Sequence, residues 1–185
     1  MELTKEQLKV LLDYKNVVDD DNIRYKEIIK KNLINDPLLL YLLNDDEIDD
    51  PDEFLDYHIK PFYLIYDTQH NVQNFICFET SFNESMRYNE IIKYQQIIFY
   101  VLCEQKNNIE KKTGLARTDL ISARIRDIFD WSNKFGTQCH MISDTPSVVD
   151  NHYNCRMLVF ELNAPSNLVK TRNNVSRVVN YQVNG

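Results

Sequence analysis

Residues 143–162 read SDTPSVVDNHYNCRMLVFEL. The first half carries Asp144, Pro146, Asp150 and His152; the second runs from Cys155 to Leu162 and is largely apolar. Two readings compete. The polar groups could line a catalytic or metal site, or the segment could be a hairpin that returns a strand to a sheet. Alternation along a strand favours the hairpin. Cys139 and His140 are adjacent, and His152 and Cys155 are three apart. In extended backbone the members of each pair therefore face opposite sides. A zinc site needs about four nitrogen or sulfur ligands, and only one residue of each pair can reach a common spot. The expected structure is a polar loop over 143–152, stiffened by Pro146, between strands at 137–143 and 153–162.

The helix expected before this hairpin spans 118–135, TDLISARIRDIFDWSNKF. Ile121, Ile125, Ile128 and Phe129 form one apolar stripe at helical spacing. Thr118 is the expected N-cap, and Gly136 the residue that ends the helix. Upstream, 59–67 (IKPFYLIYD), 74–82 (NFICFETSF) and 93–105 (KYQQIIFYVLCEQ) read as strands. The last is apolar on both faces at its centre, which places it mid-sheet. The loop at 106–114 is polar. Before the strands come three helices, at 3–16 with Thr4 as cap, 22–34 and 37–43, and then an acidic connector at 44–56. Leu8, Leu11 and Leu12 line the first, and Ile28, Ile29 and Leu33 the second.

Clustered strands joined by short loops imply antiparallel pairing. The expected fold class is α+β, an antiparallel sheet of about five strands covered by one long amphipathic helix. An N-terminal helical segment (1–56) precedes the core (57–162), and an extended C-terminal arm (163–185) follows, all within a single domain 1–185.

The chain has 185 residues and 43% hydrophobic content, enough for a substantial core. Its formal charge is −7, unevenly spread. Residues 1–60 hold 16 acids and 8 bases, whereas 163–185 hold Lys170, Arg172 and Arg177 and no acid. A dedicated nucleic-acid-binding domain is usually more basic; an acidic head and a basic tail suit contacts between copies. Cys77, Cys103, Cys139 and Cys155 each sit in or beside an apolar run, as buried reduced thiols do. No signal-peptide pattern is present. The run PLLLYLL is far below the ~20 residues of a membrane span, so a cytoplasmic setting and no membrane contact are expected.

Three glycines, none in a G-x-G or G-K context, exclude a phosphate-cradling loop. A two-metal nuclease needs convergent carboxylates beside a lysine. Asp67 and Glu79 come nearest, but Ser81 stands where the lysine is wanted. No catalytic residue, metal ligand or cofactor is expected. The arm carries Leu168, Val169, Val175, Val178, Val179 and Tyr181, too few for a core of its own but suited to addition onto a neighbour.

The run from HIKPFYLIYD through GLARTDLISARIRDIFDW to SDTPSVVDNHYNCRMLVFEL resembles virion proteins of tailed bacteriophages. More narrowly, it is similar to neck proteins that join head to tail, of the tail-terminator or tail-completion type. The resemblance covers about residues 58–165 and is one of layout: paired strands, a long polar loop, a single amphipathic helix and a final hairpin. It implies a non-catalytic ring of identical subunits (a tail terminator, collar or connector) around a channel through which DNA passes without sequence-specific binding. It also implies neck, portal or tail proteins as neighbours, and assembly in the bacterial host cytoplasm into the virion. The subunit contacts then expected fall on Asp144, Pro146 and Asp150 in the hairpin and on Leu168, Lys170, Arg172, Val175 and Arg177 in the arm. A small metal-dependent nuclease and a host-directed protein-binding adaptor are the alternatives.

Overall fold

The computed structural model describes residues 3–13, 21–43, 48–63, 74–83, 92–148, 152–165, 168–170 and 176–178, the last two spans as backbone only. Strand β3 (Ile92–Glu104) lies at the centre of a five-stranded sheet ordered β1-β2-β3-β5-β4. The others are β1 (Ile59–Lys60), β2 (Asn74–Asn83), β4 (Cys139–Val148) and β5 (Tyr153–Pro165). β3 pairs antiparallel with β2 and β5, and β5 pairs antiparallel with β4. β1 departs from the expected pattern. It runs parallel to β2, with Ile59 opposite Ile76, and ends at Lys60, so residues 61–63 of the strand expected over 59–67 are not strand, while residues 64–67 lie outside the described residues. Pro61 follows it directly and cannot donate to a ladder.

Side-chain alternation divides the sheet cleanly. Ile97, Phe99, Val101 and Cys103 of β3 face a main core with Ile76 and Phe78 of β2 and Leu158, Phe160 and Leu162 of β5. Helices cover this face: α2 (Asp21–Ile34) supplies Tyr25, Ile29 and Leu33, and α3 (Pro37–Leu43) supplies Leu39, Leu42 and Leu43. α4 (Phe54–Tyr57) supplies Phe54, and α5 (Arg117–Phe129) supplies Ile121, Ile125 and Phe129. Among the described residues the cover is four helices, broader than the single helix expected. The fold is α+β. On the opposite face Phe75, Cys77, Leu102 and Cys155 form a second cluster with Tyr100 and Tyr153, and Tyr63 packs on Tyr100 at 4.5 Å between centroids.

Local chemistry explains the helix ends. Asp36 caps α3: its Oδ1 accepts the Leu39 amide at 2.9 Å, with Pro37 in the first helical position. Within the acidic connector, residues 48–56 are described. Asp50 accepts the Asp52 amide at 3.0 Å and starts a 3-10 turn at Pro51–Glu53 that runs into α4, because Phe54 inserts into the core. α5 begins one residue before the expected cap. Thr118 lies inside the first turn, and its amide is capped by Asn108 Oδ1 from the preceding loop at 3.1 Å. It also ends six residues before the expected Phe135. Asp130 is extended and Trp131 adopts φ 57°, which reverses the chain. Phe135 thereby reaches Tyr25 (5.0 Å) and Phe129 (5.8 Å), which prolonging the helix would forgo. Gly136, at φ 91°, serves this turn and not a helix end.

The segment 143–152 is mostly strand. β4 continues to Val148, past a register shift between Met141 and Ser143, so residues 143–148 of the expected loop are strand, while residues 149–151 lie outside the described residues. Beyond β5, the arm expected to be extended contains an antiparallel ladder of its own, β6 (Leu168–Lys170) with β7 (Ser176–Val178).

Candidate assembly surface

Asp144 and Pro146 lie on β4, at one border of the sheet. Asp144 is engaged within its own chain: its Oδ1 accepts Arg156 Nε at 2.5 Å, and Arg156 NH1 reaches Asp119 at 2.6 Å. The outer side of β4 is guarded. Trp131 N donates to the Cys139 carbonyl (2.8 Å), Cys139 N to the Ser132 carbonyl (2.9 Å), and Met141 N to Asp130 Oδ1 (2.9 Å). Further along stands Pro146, which has no amide hydrogen to offer. Border strands with proline and covered amides resist strand-to-strand addition. Leu168, Lys170 and Arg177 fall in the β6–β7 ladder. Asp150, Arg172 and Val175 lie outside the described residues, as does Asp67.

Several described groups that could carry chemistry are engaged within the fold. All four cysteines are free and buried. Burial pushes the Cys139 thiol up to about 12 and the Cys155 thiol up to about 11, and raises Cys103 as well. Such thiols are protonated near neutrality and make poor nucleophiles. His58 is buried beside Phe54, and its Nδ1 lies 2.7 Å from the Asn74 carbonyl. A carbonyl only accepts, so Nδ1 carries the proton and the ring ties α4 to β2. The Glu79 carboxylate accepts from Lys26 Nζ (2.9 Å) and from the Tyr63 amide (3.1 Å). Among the described residues no group of three or more His, Cys, Asp or Glu could hold a metal ion, and no helix is long and apolar enough to cross a membrane.

Two carboxylates brace the helical layer from far away in sequence. Asp36, the α3 cap, pairs with Arg124 of α5 at 2.7 Å. Burial alone would raise this carboxyl, but the Arg124 hydrogen bond, the Leu39 amide and the Arg124 charge outweigh it and hold it below its usual value. Glu110 closes the loop before α5. It accepts the Lys112 amide (3.0 Å), the Thr113 amide (2.7 Å) and the Tyr41 hydroxyl (2.9 Å). The Lys112 amide is the largest of the causes that lower its pKa to about 2. A depressed carboxyl stabilises the fold above its unfolded pKa and ceases to do so as pH falls through the folded value. Wild-type chain should therefore lose stability between about pH 4.5 and pH 2. Glu110→Gln should melt lower than wild type at pH 6, and the gap should close across that window in circular dichroism melts.

The surface that pattern reading did not anticipate is α1 (Lys5–Asp13). Its N-terminus is capped as expected, with Gln7 N on Thr4 Oγ1 (3.2 Å) and Thr4 N on Gln7 Oε1 (2.9 Å). Its leucines, however, are not in the core. Leu8 is 49% exposed, and Leu11 and Leu12 are both 52%. A nine-residue helix is marginal without packing, so this one presents an apolar stripe that nothing in the described domain buries. Periodicity identified the stripe; no sequence signal marks it as unpartnered. Trp131, the single tryptophan, is a second exposed apolar group, 62% exposed and packed on His140 at 4.5 Å.

A protein-family model described as YomW matches residues 6–162, most of the chain. No curated protein matches it.

Proposed function

The chain belongs to the YomW family, a phage-type family similar to those of the Bacillus prophage SPbeta, and from that premise we propose that it is a structural subunit of the bacteriophage neck. Copies close into a ring at the head–tail junction, around the channel through which DNA passes, and the subunit performs no catalysis. It is assembled in the host cytoplasm and resides in the virion beside other neck, portal or tail proteins.

The observation that carries this reading is α1. An apolar stripe held out from the domain on a capped but unburied helix is what a subunit needs for contact with another molecule. The internal engagement of Glu79, His58 and the thiols supports a structural over a catalytic role, and leaves the nuclease alternative without a convergent metal site among the described residues. The acidic surplus of residues 1–60 suits a lumen that repels phosphate and lets a duplex slide.

Sedimentation velocity of the full chain across concentration, with negative-stain images of the heaviest species, tests the proposal. Closed rings are expected, together with labelling of the virion neck by antibody against this protein. A host-directed adaptor would instead form a stoichiometric complex with one host protein and be absent from virions, and that result would overturn the neck assignment.

A further inference from the structure

We propose that α1 of one copy docks on the acidic surface at residues 49–56 of a neighbouring copy, its leucines toward Tyr57 and its lysines toward the carboxylates. The inference rests on the self-assembly proposed above and names the receiving surface. Lys5 precedes Leu8 by three residues and Lys9 precedes Leu12 by three. Both ammonium groups therefore run along one border of the leucine stripe. All are exposed. A partner that covers the stripe must present carboxylates along that border.

The chain has such a surface. Asp49, Asp50, Asp52, Glu53 and Asp56 are all exposed, with no base among residues 49–56. Tyr57, at the end of α4, is 51% exposed and offers an apolar ring at the rim of these charges. Two α1 helices paired antiparallel would instead bring their lysine borders together, a like-charge arrangement. The complementary contact is between two different patches of the same chain. Such a head-to-tail contact is the kind that closes into a ring, and an amphipathic helix laid on a partner's surface is a recurring recognition mode.

The test is sedimentation velocity on the full chain at low and high salt. Lys5→Glu with Lys9→Glu should weaken self-association about tenfold. Asp49→Lys with Glu53→Lys should do the same, and the chain carrying all four substitutions should regain wild-type association. Salt should weaken the wild type. Melting temperatures should stay at the wild-type value, since all four side chains are exposed. If the wild type assembles but the reversals leave it unchanged, or if the fourfold variant stays weak, this docking is overturned while the ring proposal stands on another surface. A wild type that remains monomeric with α1 amides protected from exchange places α1 on its own copy and overturns the docking and the ring together. A monomer without that protection overturns the docking and the ring together.

Discussion

Phe99→Ala lowers the unfolding free energy by about 3–5 kcal/mol, the range for removing a buried phenylalanine ring from a core that collapses only partly. Phe99 is fully buried at the middle of the central strand. Its ring meets Phe78 of β2 at 6.0 Å, Phe129 of α5 at 5.3 Å and Phe160 of β5 at 5.6 Å. Truncation leaves three rings facing a void that closes only partly, since each ring is anchored on its own strand or helix. Domains have only about 5–15 kcal/mol of stability in total, so urea unfolding should shift its midpoint by a large fraction. Tyr100→Ala is the control. One residue along the strand, Tyr100 faces the other cluster and is only partly buried, so it should cost clearly less. Equal effects from the two would mean that the helix-covered face is not the principal core.

Leu8→Glu with Leu12→Glu should leave the monomer intact and sharply weaken its association. Both side chains are about half exposed, and exposed substitutions usually change stability by no more than ~0.5 kcal/mol. Glutamate is also a good helix former. In an assembly the outcome differs. Burying a leucine contributes about 1.5–3 kcal/mol; about half of each is still available here, so losing two such contacts, about 1.5–3 kcal/mol together, weakens association about 10- to 150-fold. Two carboxylates placed in the contact add a desolvation cost. Sedimentation equilibrium reads the affinity, and a thermal melt of the same sample reads the fold. A fall of many degrees in the melt with no change in mass would show that α1 supports its own domain.

Much of the architecture was legible because local periodicity survives tertiary packing. The Asp-Pro start of α3, the Thr4 cap of α1, the two-faced β3 and the antiparallel β4–β5 pair follow from residue spacing and capping chemistry. The ends of elements were less legible. α5 stops at Phe129 because Phe135 gains more by turning back onto Tyr25 and Phe129 than by adding helical turns. β4 runs on through Asp144 and Pro146 because Arg156, across the ladder, takes up the carboxylate that would otherwise mark a loop. Of the expected contact residues, only those of β4 can be described with their side chains, and Asp144 is committed to its own chain.

The amino-acid order by itself determined which faces are apolar, that the thiols suit burial, and that acids gather in the first third while the end is basic. Only the tertiary structure decided which apolar stripes find partners. The stripe of α2 lies in the core and that of α1 does not, although both have helical spacing. Periodicity is a property of neighbours along the chain. Partnership depends on contacts between distant residues, such as Asp36 with Arg124, 88 positions apart, and Tyr41 with Glu110, 69 apart. Those contacts form only when the whole chain has closed around its sheet.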